Sequence, residues 1–275
     1  MNKNKYIVFD TETTGLNVET DRIVEFASIT KSLVDNEFHE EINHFLDPEM
    51  VISEGATKKH NIKNEDVAGK QKFRDISKQL VDVFNSHIKD NDCYYLGYNV
   101  LQYDIPLLES EFSRNGFDGF KIDEARTIDL LIFVQYYFRN FESNRLDDVY
   151  KSLFEKEPEN AHQALDDTKT TWQIFSALID TELLPRNVNK LLKQQELFKE
   201  FLSRERKTYG YWLYCDRQDK NILRIGAGKH RGALLSEVPT SYLKYIYEDP
   251  KFNLTSKTKK EFENIIFKTK NLVDN

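Results

Sequence analysis

Cysteine is almost absent from this chain: Cys93 and Cys215 are the two among 275 residues, far apart and without metal-ligand spacing. That excludes a disulfide framework and suits a reducing cytoplasm. Long apolar runs are missing too. The basic start, Met1 to Lys5, is followed only by Tyr6-Ile7-Val8-Phe9 before Asp10. This is too short for a signal peptide, and no later stretch approaches a membrane span. The expectation is a soluble, cytoplasmic protein that does not work at a membrane. Internal repeats and low-complexity tracts are lacking, which excludes a repeat array. A phosphate loop is lacking as well. Gly226-Ala227-Gly228-Lys229 has no Ser or Thr after the lysine and no glycine five residues before Gly228.

What is present can fold. A hydrophobic fraction of 39% with 19 Phe supplies a core, and 31% charged residues supply a solvated surface. The length allows one large domain, or one with a small appendage. The net charge of −7 is unevenly spread. Residues 1–183 carry 20 Lys and Arg against 35 Asp and Glu, while residues 184–207 and 208–275 each carry an excess of four basic groups. An acidic body with a basic tail divides the work between them. Such a body is a poor nucleic-acid binder unless bound cations supply positive charge.

The pattern predicts three strands, Tyr6 to Phe9, Arg22 to Val34 and Glu37 to Leu46, the last two joined by a turn at Asp35-Asn36. A helix over Phe73 to Ile88, a strand over Asp92 to Tyr98 and a helix over Ile105 to Ser113 follow. A strand ending at Leu130 leads into a helix to Phe138, and helices over Leu146 to Phe154 and Ala164 to Ile179 close the body. This order implies an α/β domain with a mixed sheet, spanning 1–183. After Pro185, residues 184–207 read as a connecting helix. Residues 208–275 read as a small α+β unit: two short strands, a glycine-rich turn and a helix near Tyr242 to Tyr247. So small a unit is expected to pack on the body.

The chemistry concentrates at Asp10-Thr11-Glu12-Thr13-Thr14-Gly15-Leu16. Side chains on a strand alternate, so Asp10 and Glu12 project from one face. Two facing carboxylates repel, and a buried site tolerates them only with a proton or a cation. Oxygen donors select Mg²⁺ or Mn²⁺. Gly15 allows a sharp turn and close approach to a ligand. Taken alone, the pair also fits two solvated acids before a turn. Likewise Asp104, before Ile105-Pro106-Leu107-Leu108, fits a helix N-cap.

The octet from Phe9 to Leu16 resembles the first motif of the DEDD exonucleases, and Arg22-Ile23-Val24-Glu25-Phe26-Ala27 resembles a second stretch of that family. Two further matches occur in order. Gly97-Tyr98-Asn99, running on to Asp104, resembles the turn before the third carboxylate, with Tyr98 where the family often has His. His162-Gln163-Ala164-Leu165-Asp166-Asp167 matches the His-x4-Asp motif of the histidine subclass, with Thr171 also family-like. Asp166 has no counterpart and reads as a solvated charge.

The resemblance implies a ribonuclease H-like fold and a 3′→5′ exonuclease. Asp10, Glu12, Asp104 and Asp167 would hold two Mg²⁺ or Mn²⁺ ions, and His162 would be the general base. Nucleoside 5′-monophosphates would be released from DNA, through a single strand or a 3′ end. By the same resemblance Thr13, Leu16, His60 and Asn99 would contact substrate, and Tyr103, beside Asp104, could stack on a nucleotide as aromatic platforms do for single strands; a core aromatic and a surface histidine are the structural alternatives for Tyr103 and His60. Two alternatives stay open, a 3′→5′ exoribonuclease and a non-catalytic partner subunit of a polymerase or other nucleic-acid assembly. In the tail, Gly228-Lys229-His230-Arg231-Gly232 and Leu235-Ser236-Glu237-Val238-Pro239 resemble the small C-terminal domain of exonuclease X-like proteins, with Ala227 a slight departure. Its role reads as a nucleic-acid grip or a protein-docking module.

Overall fold

The computed structural model describes residues 4–34, 38–141, 143–158 and 162–268. The expected turn at Asp35-Asn36 lies outside them. The chain begins with β1 (Lys5–Thr13), β2 (Ile23–Ser32) and β3 (Phe38–Phe45), followed by α1 (Glu54–His60), α2 (Asn64–Val67), α3 (Phe73–Phe84) and α4 (Ser86–Lys89). Then come β4 (Cys93–Gly97), α5 (Asp104–Arg114), β5 (Thr127–Asp129), α6 (Leu130–Tyr137), α7 (Leu146–Phe154), α8 (Ala164–Asp180) and α9 (Val188–Tyr209). The rest is β6 (Leu213–Cys215), β7 (Leu223–Ile225), α10 (Thr240–Glu248) and α11 (Ser256–Lys268).

Strands β1 to β5 form one mixed sheet in the order β3-β2-β1-β4-β5. The first three are antiparallel, and β4 and β5 join parallel. The alternation along β1 decides what lies where. Tyr6 meets Trp172 and Phe175 of α8, with ring centroids 5.8 and 5.3 Å apart. Val8, Asp10 and Glu12 share that parity and therefore that face. Ile7 and Phe9 point the other way, into a cluster with Phe73, Leu80, Phe84, Leu107 and Phe112 of α3 and α5. Helix α8 lies on β1 and β2 because Ala164, Thr168, Thr171, Trp172, Phe175 and Leu178 form one buried stripe at helical spacing.

Compactness divides the chain into two units: Met1–Ile132 with Arg145–Gln195, and Phe133–Asn144 with the chain from Glu196 onward. The expected boundaries at 183 and 207 differ from this partition. Helices α6 and α9 each contribute to both units, and α9 occupies most of the segment read as a connecting helix. Gln195 of α9 is buried; its side-chain carbonyl accepts the Asp129 N–H at 2.8 Å, and its amide donates to the Thr127 carbonyl at 2.9 Å. The amide thus completes the hydrogen bonding of the edge strand β5. In the second unit, β6 and β7 pair antiparallel over a core that includes Leu213, Ile225, Leu243, Ile246 and Phe262. Tyr136 stacks on Phe198 there, 3.5 Å between centroids.

Two helical expectations shift. The run predicted over Phe73 to Ile88 breaks at Asn85, whose backbone leaves helical geometry (φ −98°, ψ 2°). Helix α1, not anticipated, is capped by Ser53, whose Oγ accepts the Ala56 N–H at 3.2 Å. Among the described residues no helix is long and apolar enough to cross a membrane.

Candidate active site

The C-terminal half of β1 places Asp10 and Glu12 opposite the start of α8, where Asp167 projects. Carboxylate oxygens of these three residues lie within 4.8 Å of one another. Asp104 arrives from the opposite face of the sheet at the first turn of α5. There Thr11, of opposite parity to Asp10, donates its hydroxyl to Asp104 Oδ1 at 2.6 Å. Asp104 is the first residue of that helix and Tyr103 occupies the N-cap position. The capping role that its sequence position suggests is therefore not the one it takes. A cavity of about 270 Å³ is lined by Asp10, Lys59, Tyr103, Asp104, His162 and Asp167, among others.

Crowding these acids away from water has an electrostatic consequence. Burial, then the charges of Asp104, Asp167 and Glu12, hold the Asp10 carboxyl well above the usual range. Burial raises Glu12 to about 8, with Lys59 opposing and Asp167 and Glu25 adding to the rise. Asp104 and Asp167 are each pushed to about 6 by burial, against hydrogen bonds from the Thr11 hydroxyl and the His162 N–H. Near neutral pH these groups share protons unless a cation takes the protons' place. An oxygen-only donor set of this charge fits a hard divalent cation.

His162 sits in a left-handed turn (φ 71°) just before α8, and its N–H donates to Asp167 Oδ1 at 3.3 Å. Its Nε2 lies 3.9 Å from Asp147 Oδ2. Three residues that the sequence reading did not single out for the site join it. Lys59, in the last turn of α1, acts electrostatically on all four carboxylates. Asp147 flanks the histidine. Glu25, fully buried and directly across from Glu12 in the β1–β2 register, accepts the Ala164 N–H at 3.1 Å. It thereby caps α8 from a neighbouring strand, since the N-cap residue Gln163 makes no side-chain cap. The Arg22-to-Ala27 motif carried a signal for Glu25 but none for this contact.

The expected substrate contacts divide. Leu16 is 84% exposed, open to a ligand. Asn99 lines the cavity in a left-handed turn (φ 68°), its N–H donating to Asp129 Oδ1 at 2.8 Å. Such a backbone suits asparagine. The turn also needs Gly97, where a Cβ would fall 2.0 Å from Val100 Cγ1. Tyr103 lines the cavity, but its hydroxyl is committed, donating to the Gly15 carbonyl at 2.6 Å beside the Thr13 hydroxyl at 2.7 Å. His60 is corrected. It is 4% exposed, its Nδ1 accepts the Ile62 N–H at 3.0 Å, and its Nε2 donates to the Thr13 carbonyl at 3.1 Å. Both ring nitrogens are thus used within the fold, one of them on the Thr13 backbone. Gly15 is also required for a reason other than a turn: a Cβ there would meet the Asp21 carboxylate at 2.6 Å.

Comparison with known proteins agrees in fold and sequence. The RNase_T family profile, described as Exonuclease, matches residues 7–175. DNA polymerase III PolC-type of Latilactobacillus sakei is 28% identical over 174 residues, 63% of this chain and 11% of that protein. The 3′-5′ exonuclease DinG of Bacillus subtilis is 22% identical over 205 residues, 74% of this chain and 20% of that protein. This chain therefore spans a small part of those relatives. Among solved structures, E. coli exonuclease I with a dT13 oligonucleotide superposes with a TM-score of 0.58 at 16% identity, covering 94% of this chain and 64% of that one. The zinc-bound exonuclease I–ssDNA complex gives 0.61 at 18% identity, covering 94% and 63%.

Proposed function

Because this chain belongs to the RNase_T exonuclease family, we propose that it hydrolyses the terminal phosphodiester of DNA from the 3′ end, releasing nucleoside 5′-monophosphates. The observation that carries this reading is the cluster of Asp10, Glu12 and Asp167 beside a cavity that Asp10, Asp104, His162 and Asp167 line. Asp10, Glu12 and Asp167 would hold one divalent cation, and Asp10 with Asp104 a second, Mg²⁺ or Mn²⁺ by the hardness of the donors. Bound there, such ions neutralise charge on the phosphate oxygens and on the departing 3′ oxygen.

The chain's own groups supply the rest. His162, open to the cavity, accepts a proton from the attacking water, and Asp147 stabilises the imidazolium that forms. The water oxygen bonds to phosphorus, the P–O3′ bond breaks, and the 3′ oxygen of the shortened strand takes a proton from solvent to leave as a hydroxyl. Lys59 offsets carboxylate charge where a phosphate must enter. Exposed Leu16 meets the terminal base, while His60 and Tyr103 hold the Thr13–Gly15 backbone beneath it. Nothing in these contacts reads a sugar 2′ position, so an exoribonuclease is the second reading. A non-catalytic partner subunit would have no need for all five catalytic side chains.

The test is digestion of single strands, duplexes and RNA, labelled at one end, with Mg²⁺, with Mn²⁺ and with chelator. Mononucleotide release from the 3′ end, abolished by chelation, is expected. Degradation without metal, or from a free 5′ end when the 3′ end is blocked, would falsify the assignment.

A further inference from the structure

The second unit contains a cavity of about 320 Å³ that the proposed reaction does not use. Its wall includes Arg139, Glu205, Arg206, Tyr211, Gly226 and Arg231, all within that unit. Positive charge outweighs negative in this lining, three arginines against one carboxylate.

Two of the four charges are framework. Arg139 pairs with Glu205, each side chain about a tenth exposed, and its guanidinium lies 5.2 Å from the ring centres of both Phe201 and Tyr214. Glu205 also accepts the Cys215 N–H at 2.9 Å. Arg231 is steadied by donating to Asn144 Oδ1 at 2.7 Å. Arg206 differs from all of these. It is exposed, its guanidinium lies 4.8 Å from the ring centre of Tyr211, and it makes no side-chain hydrogen bond or ion pair among the described residues. Tyr211 is itself 68% exposed. At Gly226 a Cβ would fall 2.4 Å from the Tyr211 carbonyl, so the wall beside the tyrosine has to be bare peptide.

An exposed tyrosine with an arginine over its ring, at a cavity of net positive charge, matches one ligand chemistry. A single-stranded polynucleotide offers a base face for stacking and a monoanionic phosphodiester for a guanidinium fork. A duplex hides its base faces, and an acidic peptide has none. We propose that this cavity binds one nucleotide step of a single strand, the base on Tyr211 and the phosphodiester on Arg206 and Arg231. The proposal rests on the nuclease reading only for what the strand is doing there.

Binding is therefore measured without turnover, on the full chain in chelator, with a twelve-nucleotide oligothymidine across a salt series. Tyr211→Ala should weaken binding about 5- to 150-fold, the range found for one base stacked on an aromatic, with the salt slope unchanged. Tyr211→Trp should restore the affinity. Arg206→Ala should flatten the slope of log K against log salt by about 0.7, the share of one single-strand phosphate. Both side chains are exposed, so the melting temperature should hold. Hydrolysis of a dinucleotide in Mg²⁺ should also be unchanged. Wild-type affinity in both alanine variants would overturn the proposal. So would equal loss of duplex binding, or competition by polyglutamate as effective as by oligothymidine. A chain that never cleaves yet loses strand binding in these variants would sink the catalytic reading and leave this one standing.

Discussion

At the scale of single residues, the proposed cation ligands and the proposed base can be told apart by substitution. Asp10→Ala removes an oxygen donor from the carboxylate trio, and loss of both cation binding and activity is expected, read by calorimetric titration and by cleavage. His162→Ala should keep cation binding and lose roughly 10²–10⁴-fold in rate, the usual worth of a positioned proton acceptor. Asp166→Ala, one residue away, should stay within about twofold. A dead Asp166 variant beside an active Asp167 variant would put the proposed register off by one.

Protons report on the same groups. Asp10, Glu12, Asp104 and Asp167 are all held above their ordinary values, Glu12 at about 8 and the last two at about 6. The cation-free native chain thus binds more protons than the unfolded chain between roughly pH 4 and pH 8, and these groups' contribution to stability is lost as pH rises through that window. Added Mg²⁺ or Mn²⁺ should raise the melting temperature clearly at pH 8 and little at pH 5. An equal rise at both would argue against cations competing with these protons.

At the scale of elements, the decisive contact is the capping of α8 by β2. Glu25 lies 139 residues from Ala164 in the chain, yet its carboxylate holds the N-terminus of the helix that carries Asp167. Glu25→Ala should cost about 1–2 kcal/mol in urea unfolding, the worth of a lost cap. It should also weaken cation binding, because Asp167 sits in the first turn. Glu25→Gln keeps an acceptor oxygen and should recover most of both. If both variants bind cation as wild type does, Asp167 is positioned independently of Glu25. The elements themselves were largely legible, since β1, α7 and α8 follow from their own periodicity. Helix α1 was not, because seven residues with one buried side chain, His60, carry little hydrophobic pattern. The same short helix delivers Lys59.

At the scale of the whole molecule, a cut near Leu184 is less clean than charge alone suggests. It would remove Gln195 and its hydrogen bonds to the Asp129 N–H and the Thr127 carbonyl, and it would separate residues 133–144 from the rest of their unit. Gln195→Ala should accordingly destabilise the chain by about 1–3 kcal/mol, the penalty for buried unsatisfied groups, visible in the urea midpoint. An unchanged midpoint would mean that water replaces the amide. The acidic body and basic tail also predict that strand affinity falls with salt.

What the sequence determined by itself is whatever has short spacing. Period-two alternation put Asp10 and Glu12 on one face, the ordered motifs marked Asp104, His162 and Asp167, and alternating strands and helices implied the mixed sheet. Tertiary structure alone decided which distant groups close on them: Glu25 beneath α8, Lys59 at the cavity, Gln195 on the edge strand, and His60 turned inward. Local pattern encodes the direction in which a side chain points. Its partner across a hundred residues depends on the path of the chain, and so on how buried polar groups find one another once the core has packed.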